Sequence, residues 1–313
     1  MKSSIKNYIL VFLKGMAMGL ADIVPGISGG TVAFITGIYE DLISSISSFD
    51  FSLFKHLKKN GAKAVWKKIN GNFLLSVCLG IVSSLIIFSN LIYWMIKTNP
   101  ILVYSFFFGL VLSSIFYIFK KIKISRLSSL IIFFFGAILA YQITQLQFLS
   151  TSNNMILIFL SGVIAISAML LPGISGALIL LIMGSYDKIL NSINEKEFLV
   201  LTIFGFGVLS GLFTFARFLK WLLNNYYNQT LLMLNGFMFG ALAKLWPWRV
   251  PVNWIINENG EKLITSEKLV LPSKLGGDAQ IIEASLIMIS GFLIIISVYY
   301  FGKKNNAIRQ QKR

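Results

Sequence analysis

The chain has 313 residues, 56% of them hydrophobic and only 13% charged, roughly half the charged share of an ordinary globular domain. A water-soluble surface is excluded on that count, and so are a disulfide framework and the common zinc sites, because one cysteine (Cys78) and one histidine (His56) supply neither. The net charge of +16 comes from Lys and Arg lying between apolar runs, which is the pattern of inside-facing membrane loops and not of a nucleic-acid stripe.

In chain order, an apolar region at 8–46 is interrupted by Pro25-Gly26-Ile27-Ser28-Gly29, and runs at 73–95, 101–119 and 128–148 follow. A second apolar region at 155–193 is interrupted by Pro172-Gly173-Ile174-Ser175-Gly176, followed by runs at 198–222, 230–246 and 281–301. Runs of this length suit α-helices crossing about 30 Å of hydrocarbon. Each interrupted region reads as a pair of short helices or a pair of full spans. The first run has no small-residue cleavage site and is expected to stay in the mature protein.

Loop charges give the orientation. Lys2, Lys6 and Lys14 precede the first break, the 55–68 loop carries six lysines, and 120–126 carries Lys120, Lys121, Lys123 and Arg126. Arg217 and Lys220 close the 198–222 run, and the tail carries Lys303, Lys304, Arg309, Lys312 and Arg313. The segments between them have few or balanced charges: 187–197 sets Asp187, Glu195 and Glu197 against Lys188 and Lys196, and 247–280 is neutral overall. Alternation of this kind predicts a multi-pass protein of the cell membrane with both termini cytoplasmic.

Residues 21–46 and 168–193 match at a fixed offset of 147, through an unbroken Pro-Gly-Ile-Ser-Gly and then Gly-x-Tyr-acid, with Glu40 facing Asp187. Each copy precedes three spans, and an odd number of crossings inverts the second copy. The expected fold is therefore an all-α polytopic membrane protein of inverted-topology repeats, 1–149 and 150–313. Each repeat is a broken helical hairpin plus three transmembrane helices, the recurring construction of secondary transporters.

Proline removes a donor and glycine admits φ values closed to other residues, so Pro25-Gly26 and Pro172-Gly173 should each end a helix. Ser28 and Ser175 are then placed to cap the next one. Backbone amides left open in hydrocarbon must be buried in protein or line a polar cavity, and a helix start there suits an anion. Ser28, Gly29, Gly30, Thr31, Ser175 and Gly176 are the expected substrate-binding groups. The competing reading is that both breaks serve tight packing alone.

Asp22, a lone carboxylate beside the first break, is a candidate for coupling or gating, with Met169 as its counterpart. Glu40 and Asp187 are gating candidates or hydrated helix ends. Arg217 and Lys244 are the candidate counter-charges to an anion, Arg217 doubling as an inside-facing anchor. Glu283 is a weaker candidate that could pair with Lys244. Trp94, Trp221, Trp246, Trp248 and Trp254 read as an interfacial belt, and the glycines at 15, 19, 205, 207 and 211 as helix contacts.

The run from Lys14 through Gly15-Met16-Ala17-Met18-Gly19-Leu20-Ala21-Asp22-Ile23-Val24-Pro25-Gly26-Ile27-Ser28-Gly29-Gly30-Thr31 resembles the DUF368 family of bacterial and archaeal membrane proteins. So do Gly37-Ile38-Tyr39-Glu40 and Leu171-Pro172-Gly173-Ile174-Ser175-Gly176. That resemblance covers essentially the whole chain. It implies transport of polyprenyl phosphate, undecaprenyl phosphate above all, from the outer to the cytoplasmic leaflet after its sugar cargo has been used in wall synthesis. It also implies a lipid-phosphate partner, no cofactor and no enzymatic step. Coupling to an inward proton or cation is physically reasonable, passive exchange is the alternative, and oligomeric state is left open.

Two other readings compete. A carrier of a small soluble anion would use the same paired helix ends without a lipid-facing slot. A membrane enzyme acting on lipid phosphates would need a constellation around a nucleophile, and His56 in a basic loop has no evident partner. Walker, dinucleotide, zinc-protease and serine-hydrolase signatures are absent from the sequence.

Overall fold

The computed structural model describes residues 5–50, 52–122, 127–146, 154–256, 262–275 and 277–311. Lys2, Lys123, Arg126, Glu258, Glu261, Lys312 and Arg313 lie outside the described residues, as does the side chain of Trp254.

The first half runs α1 (Ile5–Ile23), α2 (Gly29–Ile35), α3 (Tyr39–Ser47), α4 (Ser52–Lys68), α5 (Gly71–Thr98), α6 (Pro100–Lys121) and α7 (Leu127–Gln145). The second runs α8 (Met155–Leu170), α9 (Gly176–Ile182), α10 (Tyr186–Asn194), α11 (Phe198–Asn225), α12 (Tyr227–Leu245) and α13 (Ile281–Gln311), with strands β1 (Arg249–Ile256) and β2 (Lys262–Leu269) ahead of α13. By length and apolarity α5, α6 and α11 are each able to cross a membrane, while α7, α8 and α13 hold shorter apolar stretches. Ile86, Phe198 and Ile282 are each more than 70% exposed, on a scale that only a lipid-facing surface accounts for. The chain is a multi-pass helical membrane protein.

Both breaks form as proline and glycine dictate. Gly26 and Gly173 each sit at φ +90°, in a region that an L side chain reaches only under strain, and each ends its helix one turn before a seven-residue helix begins. A second turn then leads to a nine-residue helix, α3 or α10, and α10 is bent by 103° from α9.

The halves also pack alike. α5 lies along α1 as α11 lies along α8, α13 lies along α6 as α12 lies along α7, and α6 meets α12 between them. Glycines set these approaches. A Cβ on Gly15 or Gly19 would meet the carbonyls of Val77 or Ile81 on α5, and one on Gly162 or Gly211 the carbonyls of Phe204 or Val163 across the α8–α11 contact. Beyond the breaks the correspondence continues at an offset of 127, pairing Gly80 with Gly207, the α5–α6 joint at Asn99 with the α11–α12 joint at Tyr226, and Gly109 with Gly236. The shortening by twenty matches α4 and its flanks, which the second half lacks.

Two stretches taken as loops are structured. Residues 52–68 form α4, whose exposed Leu57 and Trp66 share a helix with its lysines and His56, the composition of an interfacial helix. Residues 249–256 and 262–269 pair as two antiparallel strands, an exception to an all-α fold. Trp94 and Trp221 are exposed, as an interfacial belt requires, but Trp248 is buried. Trp248 Nε1 donates to the Ala279 carbonyl at 2.8 Å, and Trp246 Nε1 to the Val270 carbonyl at 2.9 Å. A buried indole needs an acceptor, and the segment around the hairpin supplies one to each.

At Gly207 a Cβ would lie 2.2 Å from the Phe159 carbonyl oxygen, whereas at Gly205 it would meet open space. Gly207→Val should lower the melting temperature in detergent by several degrees, while Gly205→Ala should hold or raise it because alanine is the better helix former. Equal behaviour of the two variants would contradict the α8–α11 contact.

Candidate functional site

The first break is a closed hairpin. Asp22, in the last turn of α1, accepts the Gly29 N–H at 2.6 Å through Oδ1. Lys14, eight residues earlier on α1, donates to the Thr36 carbonyl at the far end of α2 at 2.7 Å. Eight residues rise about 12 Å and the seven of α2 about 10 Å, so α2 folds back along α1 with a carboxylate at its amide end and an ammonium at its carbonyl end. Both charges complement the helix dipole. The first interrupted region is neither a pair of short helices nor a pair of full spans, but a long α1 followed by the two short helices α2 and α3.

Ser28 caps α2 as expected: its backbone is extended and its Oγ accepts the Gly30 N–H at 3.1 Å. Ser175 stands at the same position before α9 but makes no cap bond. The difference lies in what holds the hydroxyl. Ser28 Oγ also donates to the Met169 carbonyl at 3.2 Å, which aims a lone pair at Gly30. Among the described residues the Ser175 hydroxyl has no such acceptor. Asp22 and Lys14 correspond to Met169 and Ser161, so the second hairpin lacks both charges.

The two breaks bond to each other. Beside the Ser28 contact, the Gly173 N–H donates to Thr31 Oγ1 at 2.8 Å and the Tyr39 hydroxyl donates to the Leu170 carbonyl at 2.8 Å. Ser28 and Thr31 are each 1% exposed. The space expected beside Gly29 and Gly30 is filled: a Cβ would lie 2.6 Å from the Asp22 carboxylate at Gly29 and 2.7 Å from the Met169 carbonyl at Gly30. Thr31 likewise spends its hydroxyl on the opposite break. In this conformation the expected site is occluded.

α12 runs past both breaks. A Cβ on Gly173 would meet the Phe237 carbonyl at 2.7 Å, and one on Gly26 would meet Lys244 Cγ at 2.9 Å. Lys244 is therefore seated at the turn of the first break. Its ion pair is Glu267 at 3.7 Å; Glu283 is exposed in the first turn of α13. Arg217 donates to the Phe49 carbonyl beyond the end of α3, away from the bonds that join the breaks. Glu40 accepts from the Tyr227 hydroxyl at 2.7 Å on an exposed face, tying α3 to α12, and Asp187 is half-buried in the first turn of α10. Between α10 and α11, Lys188 and Ser192 hold the Glu197 carboxyl below its ordinary pKa.

Four residues with a place in this site escaped the reading of the sequence. Lys14 was legible only as a loop charge, although it sits within an apolar run; Tyr39 was legible only as a repeat marker. Arg249 was read as one charge of a neutral loop. Asn235, fully buried on α12, donates to the Ile115 carbonyl at 3.2 Å, and its Oδ1 has no partner among the described residues. An apolar groove of about 290 Å³ lies at the junction of the halves between α6, α7 and α12, lined by Leu112, Ile115, Phe119, Phe133 and Phe239 among others.

A family model described as "VCA0040-like: Undecaprenyl phosphate translocase-like" matches residues 18–263. A protein of Vibrio cholerae serotype O1 named "Polyprenyl-phosphate transporter" is 46% identical over 220 residues, covering 70% of this chain and 71% of its own. A protein of the same name from Staphylococcus aureus is 31% identical over 232 residues, covering 68% and 77% respectively. No solved structure matches the chain. Both relatives are named as transporters, in keeping with the non-catalytic role expected from the sequence.

Thr31→Val removes the acceptor of a buried N–H while keeping side-chain volume. It should destabilise the closed form by about 1–3 kcal/mol, measured as a lower melting temperature, with Ser28→Ala costing about 1 kcal/mol through its lost cap. Wild-type stability of Thr31→Val would show that the Gly173 N–H has another partner.

Proposed function

The chain belongs to the undecaprenyl phosphate translocase-like family, and from that premise we propose that it carries a polyprenyl phosphate, undecaprenyl phosphate foremost, from the outer to the cytoplasmic leaflet. The observation that carries this reading is the direct bonding of the two helix breaks at the junction of the halves. Matching element order and helix pairing support two repeats of opposite orientation, the broken hairpin and three spans of 1–149 against those of 150–313, and the distribution of Lys and Arg supports both termini cytoplasmic. When such halves rock against each other, the bonds between the breaks are the ones that part.

The physical difficulty is the headgroup, since the polyprenyl tail is already in its preferred solvent. The amides of Gly29, Gly30 and Gly176, with the hydroxyls of Ser28, Thr31 and Ser175, are the phosphate donors of the separated state. The phosphate takes the place of Asp22 on the Gly29 N–H, and Lys244 offsets its charge. The groove between α6, α7 and α12 suits the tail. Moving an anion inward works against the membrane potential by about 2.3 kcal/mol per charge per 100 mV, so an inward proton or cation is the natural coupling partner, with Asp22 its carrier.

Reconstitution tests this directly. Liposomes carrying undecaprenyl phosphate in one leaflet should show protein-dependent appearance in the other, competed by short-chain lipid monophosphates and not by neutral polyprenols. Uptake of a water-soluble anion without lipid movement would favour the small-anion carrier instead. Asp22→Asn keeps an acceptor for Gly29 and should stay folded but transport at least about tenfold more slowly; wild-type transport by that variant across a range of pH would remove the charge from the mechanism. Cysteines introduced at 58 and 274 should be labelled from opposite faces of the membrane.

A further inference from the structure

Beyond the breaks, Lys244 belongs to a second constellation. The hairpin register pairs Arg249 with Leu269 and Pro251 with Glu267, so Arg249 and Glu267 are diagonal neighbours on one face. Glu267 Oε2 accepts from Arg249 Nη1 at 2.8 Å and lies 3.7 Å from Lys244 Nζ. Two cations thus share a single carboxylate oxygen. The guanidinium is only 9% exposed and lies 3.9 Å from the centre of the Tyr104 ring on α6. Trp246 and Trp248, each fixed by its indole hydrogen bond, pack edge to face just ahead of β1. Lys244 in turn abuts Gly26 at the first break.

An arginine packed on an aromatic ring is held in a fixed orientation, and its planar fork matches a phosphate's oxygens. With Glu267 in place the cluster carries one net positive charge; without it, two. A phosphomonoester carries about −1.5 to −2 at neutral pH, so it balances the pair of cations better than a carboxylate does. Glu267 and Arg249 stand on the hairpin and Lys244 on α12, so a phosphate held by both cations ties the hairpin to α12 as Glu267 does.

We propose that Lys244 and Arg249 form a phosphomonoester subsite at the turn of the first break, with Glu267 as its resident counter-ion, released when the phosphate binds. This rests on the transport reading above and adds to it the group that first receives the headgroup. The same chemistry would take free inorganic phosphate, so the two sources need separate arms.

Binding of a short-chain polyprenyl monophosphate to the purified full-length protein in nanodiscs should weaken roughly ten- to a hundredfold in Arg249→Gln, the loss of a charge-assisted hydrogen bond. It should strengthen several-fold in Glu267→Gln, because a competing anion is gone. Arg249→Lys, which keeps the charge and loses the fork, should fall between wild type and Arg249→Gln, and it serves as the readout if the glutamine variant does not fold. Inorganic phosphate at equal concentration should compete weakly if the lipid is the ligand, and fully if the site is for free phosphate. Weaker binding in Glu267→Gln, or wild-type binding in both Arg249 variants, overturns the subsite while wild-type transport of the lipid leaves the transport reading standing. Failure of the wild type to bind any monophosphate overturns both.

Discussion

Backbone N–H and C=O groups cannot be left open in hydrocarbon, where each costs several kcal/mol. A helix broken near the middle of a membrane exposes such groups by construction, so everything around the breaks is arranged to receive them. The amides of Gly29 and Gly30 go to Asp22 and Ser28, the Gly173 amide to Thr31, and the carbonyls of Met169, Leu170 and Thr36 to Ser28, Tyr39 and Lys14. Half of these partners come from the opposite break. The second break takes its partners from the first, whereas the first meets its own open groups from within, and that one-sided need draws the halves together at this level.

The remaining packing follows from keeping the backbones close. Glycines on α1, α5, α8 and α11, and on α6, α7, α12 and α13, let carbonyls of neighbouring helices approach to within what a Cβ would forbid, which is how helices associate where lipid removes the hydrophobic drive between them. Exposed isoleucine, leucine and phenylalanine on α5, α11 and α13 then face the tails. Polar groups gather at the breaks and at the hairpin beyond α12, with Asn235 buried within α12.

Much of this was legible beforehand. The paired Pro-Gly turns, the cap at Ser28 and the close contacts at Gly15, Gly19, Gly207 and Gly211 all follow from local chemistry or from a repeat that two copies make visible, whereas Gly205 meets open space and the seat of Lys244 at the first break was not foreseen. What stayed hidden was relational. Nothing at Thr31, Tyr39 or Lys14 says that their partners are 22 to 142 residues away, and an unperiodic stretch such as 247–280 does not announce a hairpin whose strands carry mixed polar and apolar residues. Gly29 and Gly30 looked like room for a ligand because a sequence cannot tell whether small residues make a space or fill one; here Asp22 and Met169 occupy it. Arg217 was a credible counter-charge and Glu283 a credible partner for Lys244 by position along the chain, which does not say that Arg217 turns to the Phe49 carbonyl and Lys244 to Glu267.

The duplication left one half with a carboxylate and an ammonium where the other has Met169 and Ser161. Had both copies kept an aspartate, two like charges would approach each other across breaks that already touch through Ser28 and the Met169 carbonyl, so a single acidic copy is what the contact tolerates. The charged hairpin closes its own amide and carbonyl ends through Asp22 and Lys14, whereas the neutral one borrows Ser28, Thr31 and Tyr39 from it. Two turns that match in sequence thus stand as lender and borrower, and a substitution in the first is felt in the second.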